Sequence, residues 1–324
     1  MIEHVVGRRC YRARLTRRVS RSIILPALTI YPVRGPLVRM IPLLDLAFTP
    51  LPRSRAVRRT KVVGSSWIGE HVVPKDSPGS ISGGSDGAVL YMHGGAFVFC
   101  GLNTHRPVAA GLAVGSGLPV LSVAYRLYPK GVLEDAVDDC VEAFHHLVEQ
   151  GVDPAKIVLA GDSAGGHLAF AVTLALRELG YQTAGIVAFS PWLDFDHTTK
   201  MAHFNRDRDV MIPATRLRQV ARLCLGVTKV EPEHSPVNAD LSGLPPVLMI
   251  CAEDEVLRAD AELMRERLLA HGVPVQLQIW SGTLHAFPAF PVPVPDILAA
   301  RAVAAEFIRE SVDAVSVGAI DVVA

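Results

Sequence analysis

Ser163 and a late histidine carry the first chemical signal in this chain. Ser163 stands in Gly161-Asp162-Ser163-Ala164-Gly165, between an apolar run and a segment of helical pattern. A serine hydroxyl is a poor nucleophile until a base takes its proton. A G-x-S-x-G turn between strand and helix pushes that hydroxyl into the open, beside helix N–H groups that favour developing negative charge. The same pentapeptide also suits a plain Gly/Ser turn, so the decision falls to the rest of the chain. His285, in "WSGTLHAF", is the last of the twelve histidines and follows a predicted strand. That is where the base stands in this chain order. An acid must orient it, and belongs after the preceding strand, within Ala252-Glu253-Asp254-Glu255. His93-Gly94-Gly95 follows an earlier strand and lets backbone approach a ligand closely. The N–H groups of Gly94, Gly95 and Ala164 are therefore candidates to hold an oxyanion, at roughly 3 kcal/mol per donor. Such a set fits acyl transfer through a covalent intermediate. Other histidines read differently: His145, His146 and His271 lie on helical patterns and face solvent, and His167 packs.

The elements that must position these residues alternate. Apolar runs at 88–92, 119–125, 157–161, 185–190, 245–251 and 274–280 read as buried strands. Helical patterns at 104–116, 132–150, 165–179, 256–271 and 293–311 separate them. Repeated strand–helix units predict an α/β fold, a mostly parallel sheet with helices on both faces. Ligands in such sheets bind beyond the carboxyl ends of the strands, where all the candidates fall. Residues 192–240 break the alternation and read as an insertion with helical pieces. The stretch 77–87, "SPGSISGGSDG", reads as a flexible turn. The reading divides the chain into a basic helical segment 1–60, a main domain 61–312 and a tail 313–324.

Composition narrows the class. The chain has 324 residues, half of them hydrophobic, and zero formal net charge. It is long enough for a large core without disulfides or a structural metal. Its five cysteines are scattered, with no C-x-x-C pair, which points to a reducing, cytoplasmic setting and away from a zinc site. The neutral total hides an asymmetry: residues 1–61 hold fourteen Lys and Arg against Glu3 and Asp45. No apolar run approaches the ~18 residues of a membrane span, and no clear secretory signal appears. The Arg-rich segment reads either as amphipathic helices lying on the domain or as a peripheral anchor for anionic lipid. Nothing else in the chain supports nucleic-acid binding.

These motifs together resemble the hormone-sensitive-lipase-like branch of the α/β-hydrolase family. The resemblance rests on His93-Gly94-Gly95-Ala96 upstream of Gly161 to Gly165. It is joined by Tyr125-Arg126-Leu127, "SPWLDF" at 190–195, "SPVNADLSGLPP" at 235–246 and the late "GTLHAF", and covers roughly residues 60–312. It implies a serine esterase for short- to medium-chain acyl esters, with no metal or organic cofactor. It also implies that N-terminal helices and the insertion form a cap. Aligned on Leu257, the family's D-P-L-x-D-E stretch puts Glu255 at the acid position, with Asp254 as the alternative. The segment after "YRLYPKG" is shorter than in much of the family. A lipase acting on longer chains, an amidase, and a non-catalytic receptor are the competing readings; a receptor would lack the late histidine. Phe97, Phe99, Trp192 and Phe287 are expected either to line the pocket or to pack in the core, and the last strand and helix could join two copies in a homodimer.

Overall fold

The computed structural model describes residues 2–7, 11–31, 35, 45–49, 54–76 and 86–321. Much of the predicted turn at 77–87, and Cys10, fall outside them. Among the described residues nine strands form one sheet: β1 (Ile2–Val5), β2 (Val57–Val63), β3 (Ile68–Pro74), β4 (Ala88–Met92), β5 (Val120–Ala124), β6 (Ile157–Asp162), β7 (Gly185–Phe189), β8 (Val247–Ala252) and β9 (Val275–Trp280). Their order is β1-β9-β8-β7-β6-β4-β5-β3-β2. Among the described strands, β3 runs antiparallel to both of its neighbours, β2 and β5, and every other pair is parallel. The six strands read from the sequence are the fully parallel heart of the sheet. They were legible because parallel strands buried on both faces become continuous apolar runs. β2, "VRRTKVV", lies at the far edge and keeps polar residues on its open side, so no such run marks it.

Helices cover both faces. On one side lie α3 (Leu102–Ser116) and α9 (Pro295–Asp321). Val108, Leu112, Ile297 and Ile308 there pack on Val89, Tyr91 and Val158. On the other lie α4 (Leu133–Glu149), α5 (Ala164–Glu178) and α8 (Arg258–Ala270). Phe144, Leu168 and Met264 there pack on Leu90, Leu159 and Met249. The period of two along each strand sends alternate side chains to the two layers. α9 runs on into the stretch read as a tail, where Val315 still packs on the sheet-side cluster.

The N-terminal segment departs most from expectation. Residues 2–5 are a strand, not a helix, and pair in parallel with β9. β9 therefore offers no free edge to a second copy; at that end of the sheet the edge is β1. Beyond it lies a helical arm: α1 (Tyr11–Val19), a π-helical turn (Ser20–Ile24) and α2 (Leu25–Ile30). The insertion after β7 holds α6 (Thr198–Ala202), α7 (Ala214–Leu225) and short 3-10 turns. Arm and insertion touch: Arg216 donates to the Tyr31 carbonyl at 2.6 Å, and buried Ser20 donates to the Val210 carbonyl at 2.9 Å. A buried ion pair fixes the insertion's root. Lys200 Nζ lies 2.7 Å from Asp260 on α8, whose other oxygen takes the N–H groups of Leu193 and Asp194.

Candidate active site

Ser163 follows β6 with φ 53° and ψ −114°, a conformation L-residues rarely adopt. The turn closes tightly enough that its glycines are obligatory. A Cβ on Gly161 would lie 2.3 Å from the Gly165 carbonyl oxygen, and one on Gly165 would lie 2.0 Å from the Met92 oxygen. Backbone bonds pin the turn: the Ser163 N–H donates to Phe189 O at 2.8 Å, and Trp192 N–H donates back to Ser163 O at 3.1 Å. Ala164 opens α5, so its N–H has no helical acceptor.

His285 and Glu255 meet. Nδ1 of His285 donates to Glu255 Oε2 at 2.8 Å, with both side chains buried. The other carboxylate oxygen accepts the Ala252 N–H at 3.1 Å. Burial pulls the His285 pKa down. The Glu255 hydrogen bond and charge, joined by Asp209 and Asp162, outweigh it and leave the imidazole above its ordinary value. The loop carrying His285 is tied towards the Ser163 strand: Ala286, at φ 52°, donates its N–H to Ser190 Oγ at 2.9 Å. Ser190 follows β7, whose Phe189 carbonyl holds Ser163. Asp254, the alternative acid, points elsewhere and pairs with Arg17 of the arm at 2.8 Å.

The His93-Gly94-Gly95 turn is anchored on Asp162, next to Ser163. The Gly94 N–H donates to Asp162 Oδ1 at 3.0 Å. This corrects one expectation, since an N–H bound to a carboxylate is not free to hold a substrate oxygen. Gly94 is still required, because a Cβ there would lie 2.2 Å from Asp162 Oδ2. Among the described residues, the N–H groups of Gly95 and Ala164 have no protein acceptor. Asp162 also accepts from the Tyr91 hydroxyl at 2.6 Å and contacts His105 Nε2 at 3.2 Å. Burial opposes both charges of that pair, yet each favours the other: the His105 pKa is raised and that of Asp162 lowered. His93 stacks on Tyr125 at 4.5 Å and is held neutral by burial and by His105, with its pKa down at about 4.

Several positioning residues escaped the sequence reading. Asn205 Nδ2 donates to the carbonyls of Glu253 and Glu255 at 2.7 and 2.9 Å. Asp209 accepts the N–H of Val256, next to Glu255, at 2.9 Å, and its charge acts on His285. Both lie in the insertion, where no periodic pattern marks them. Phe97, Trp192 and Phe287 are core residues rather than open pocket walls. The first two cluster with Phe195, and Phe287 packs on Trp280.

Fold and site together define a carboxylic ester hydrolase built on a parallel sheet. Residues 89–289 match the family described as alpha/beta hydrolase fold, and the chain belongs to that family, in its hormone-sensitive-lipase-like branch. It is 35% identical over 306 residues to the carboxylesterase/phospholipase LipF of Mycobacterium tuberculosis, covering 92% of this chain and 81% of that one. With esterase LipU of the same organism it shares 38% over 235 residues, 70% of this chain and 79% of the relative. A solved esterase from the bacterial hormone-sensitive lipase family superposes with a TM-score of 0.82 at 29% identity, covering 94% of this chain and 99% of the other.

Proposed function

We propose that the protein hydrolyses short- to medium-chain acyl esters through an acyl-enzyme. In this reading Ser163 Oγ attacks the ester carbonyl while His285 Nε2 takes its proton. Glu255 holds the imidazole in the required tautomer and stabilises the imidazolium. The N–H groups of Gly95 and Ala164 stabilise the tetrahedral oxyanion. His285 returns the proton to the leaving alcohol, and a water, activated by the same base, then releases the carboxylate. The observation that carries this reading is the buried His285–Glu255 couple on a loop tied to the strand that follows Ser163.

Replacing Ser163 with Ala should lower turnover of p-nitrophenyl butyrate by about 10⁴-fold or more. It should also abolish labelling by a fluorophosphonate. Wild-type rates in that variant would overturn the assignment. Across p-nitrophenyl esters from C2 to C16, rates should peak between C2 and C8; a peak above C10 would make the enzyme a lipase.

In the same reading, residues 1–60 and 192–240 cap the site, supported by the contacts of Arg17 with Asp254 and of Ser20 and Tyr31 with the insertion. The cap also meets lipid at its outer face. Leu15, Val19 and Ile23, four residues apart, are 47, 41 and 63% exposed, and Ile30 beyond them is 80% exposed. Arg18 and Arg21 flank them, and no carboxylate occurs between Glu3 and Asp45. Contact would be peripheral, since among the described residues no helix is long and apolar enough to cross a membrane. The unpaired Cys100, Cys140, Cys224 and Cys251 support a cytoplasmic setting.

A further inference from the structure

A groove of about 510 Å³ opens between α3 and α9, on the sheet face formed by these two helices. Phe48, Ala110, Val114 and Leu298 give it apolar walls. Gly111 adds room: a Cβ there would lie 3.0 Å from Arg301 Cδ, so its absence lets the Arg301 stem lie against α3. Arg301 itself is only 8% exposed. Its Nε donates to the Pro288 carbonyl at 2.7 Å and its Nη2 to the Phe290 carbonyl at 2.8 Å. These neutral acceptors satisfy hydrogen bonds but leave the charge uncompensated. Among the described residues no carboxylate pairs with Arg301, and its Nη1 group has no protein acceptor. A buried cation without a counter-ion is costly, and burial lowers this guanidinium to about 10. Arg106 also lines the groove, but its charge is paired with Glu70.

An apolar channel with a buried, uncompensated guanidinium matches an apolar chain ending in an anion. We propose that this groove binds a medium-chain fatty carboxylate, its head group on Arg301 and its chain along Val114 and Leu298. As the ligand's source the proposal rests on the ester-hydrolase reading, since hydrolysis releases such a carboxylate. Arg301 also holds the segment that follows His285, so an occupied groove shares a residue with the support of the catalytic loop.

The test starts from protein sulfonylated at Ser163 with phenylmethylsulfonyl fluoride, confirmed by intact mass. Calorimetric titration should show one saturable site for decanoate, with decanol and acetate binding at least tenfold more weakly. Val114→Trp fills the groove from a half-exposed position, and Arg301→Gln removes the charge; each should weaken decanoate binding tenfold or more. Unchanged p-nitrophenyl butyrate turnover in Val114→Trp would show that the fold is kept. Absent binding, or equal binding in Val114→Trp, overturns the site. If the reagent does not attach, the failure belongs to Ser163 as nucleophile. Titration of unmodified protein against Val114→Trp then still decides the groove.

Discussion

In the proposed mechanism, the pH behaviour of the enzyme turns on His285. Its imidazole must be neutral to take the Ser163 proton, so activity falls as pH drops through its pKa. Glu255, Asp209 and Asp162 face it with negative charge and hold that pKa above the ordinary value against burial. Glu255→Gln removes one charge and the strongest hydrogen bond. The acidic limb of kcat/KM should move to lower pH, and kcat should fall about 10⁴-fold as the tautomer is lost. Asp254→Asn breaks only the partly exposed pair with Arg17, which is worth about 1 kcal/mol at most. Its effect on kcat should stay below tenfold. A larger loss in Asp254→Asn than in Glu255→Gln, read from paired pH–rate profiles, would reverse the assignment of the acid.

At the scale of elements, the site depends on loops held by buried polar contacts rather than on helices alone. The insertion supplies Asn205 and Asp209 to the acid loop, and its root is fixed by Lys200 on Asp260. Burial raises the Asp260 carboxyl to about 6, with Lys200 working in the opposite direction. Lys200→Met would leave that carboxylate facing two backbone N–H groups with no cation. The expected cost is about 3–5 kcal/mol, measured by urea unfolding. Lys200→Met/Asp260→Asn should recover part of it, because the uncompensated charge is gone while an acceptor remains. A single variant as stable as wild type would show that the pair contributes nothing to the root of the insertion.

For the whole molecule, the N-terminal arm joins a sheet edge, the acid loop and the outer surface. β1 extends the sheet, Arg17 holds Asp254, and Leu15, Val19 and Ile23 face outward beside Arg18 and Arg21. Burying an exposed Leu or Ile in a lipid interface gains roughly 1.5–3 kcal/mol, and each nearby Arg adds about 1 kcal/mol on anionic lipid. The protein should therefore sediment with phosphatidylglycerol vesicles far more than with phosphatidylcholine vesicles. Leu15→Ser/Ile23→Ser should lower that binding tenfold or more without changing hydrolysis of soluble esters. Equal partitioning of variant and wild type would remove lipid from the outer face of the arm.

Sequence alone determined the parallel core and the chemical parts. Buried parallel strands write themselves as apolar runs, and a strained turn around Ser163 tolerates only small neighbours, so both leave local marks. Tertiary structure decided what depends on distant pairing. Three adjacent acids look alike until one of them, Glu255, is found 2.8 Å from His285 while Asp254 turns to Arg17. Gly94 looks like an oxyanion donor until Asp162 claims its N–H. The four residues Ile2–Val5 carry no strand signal of their own; they are a strand because β9 offers them an edge. Hydrogen-bond partners far apart in the chain carry no periodicity, and only the folded chain brings them together.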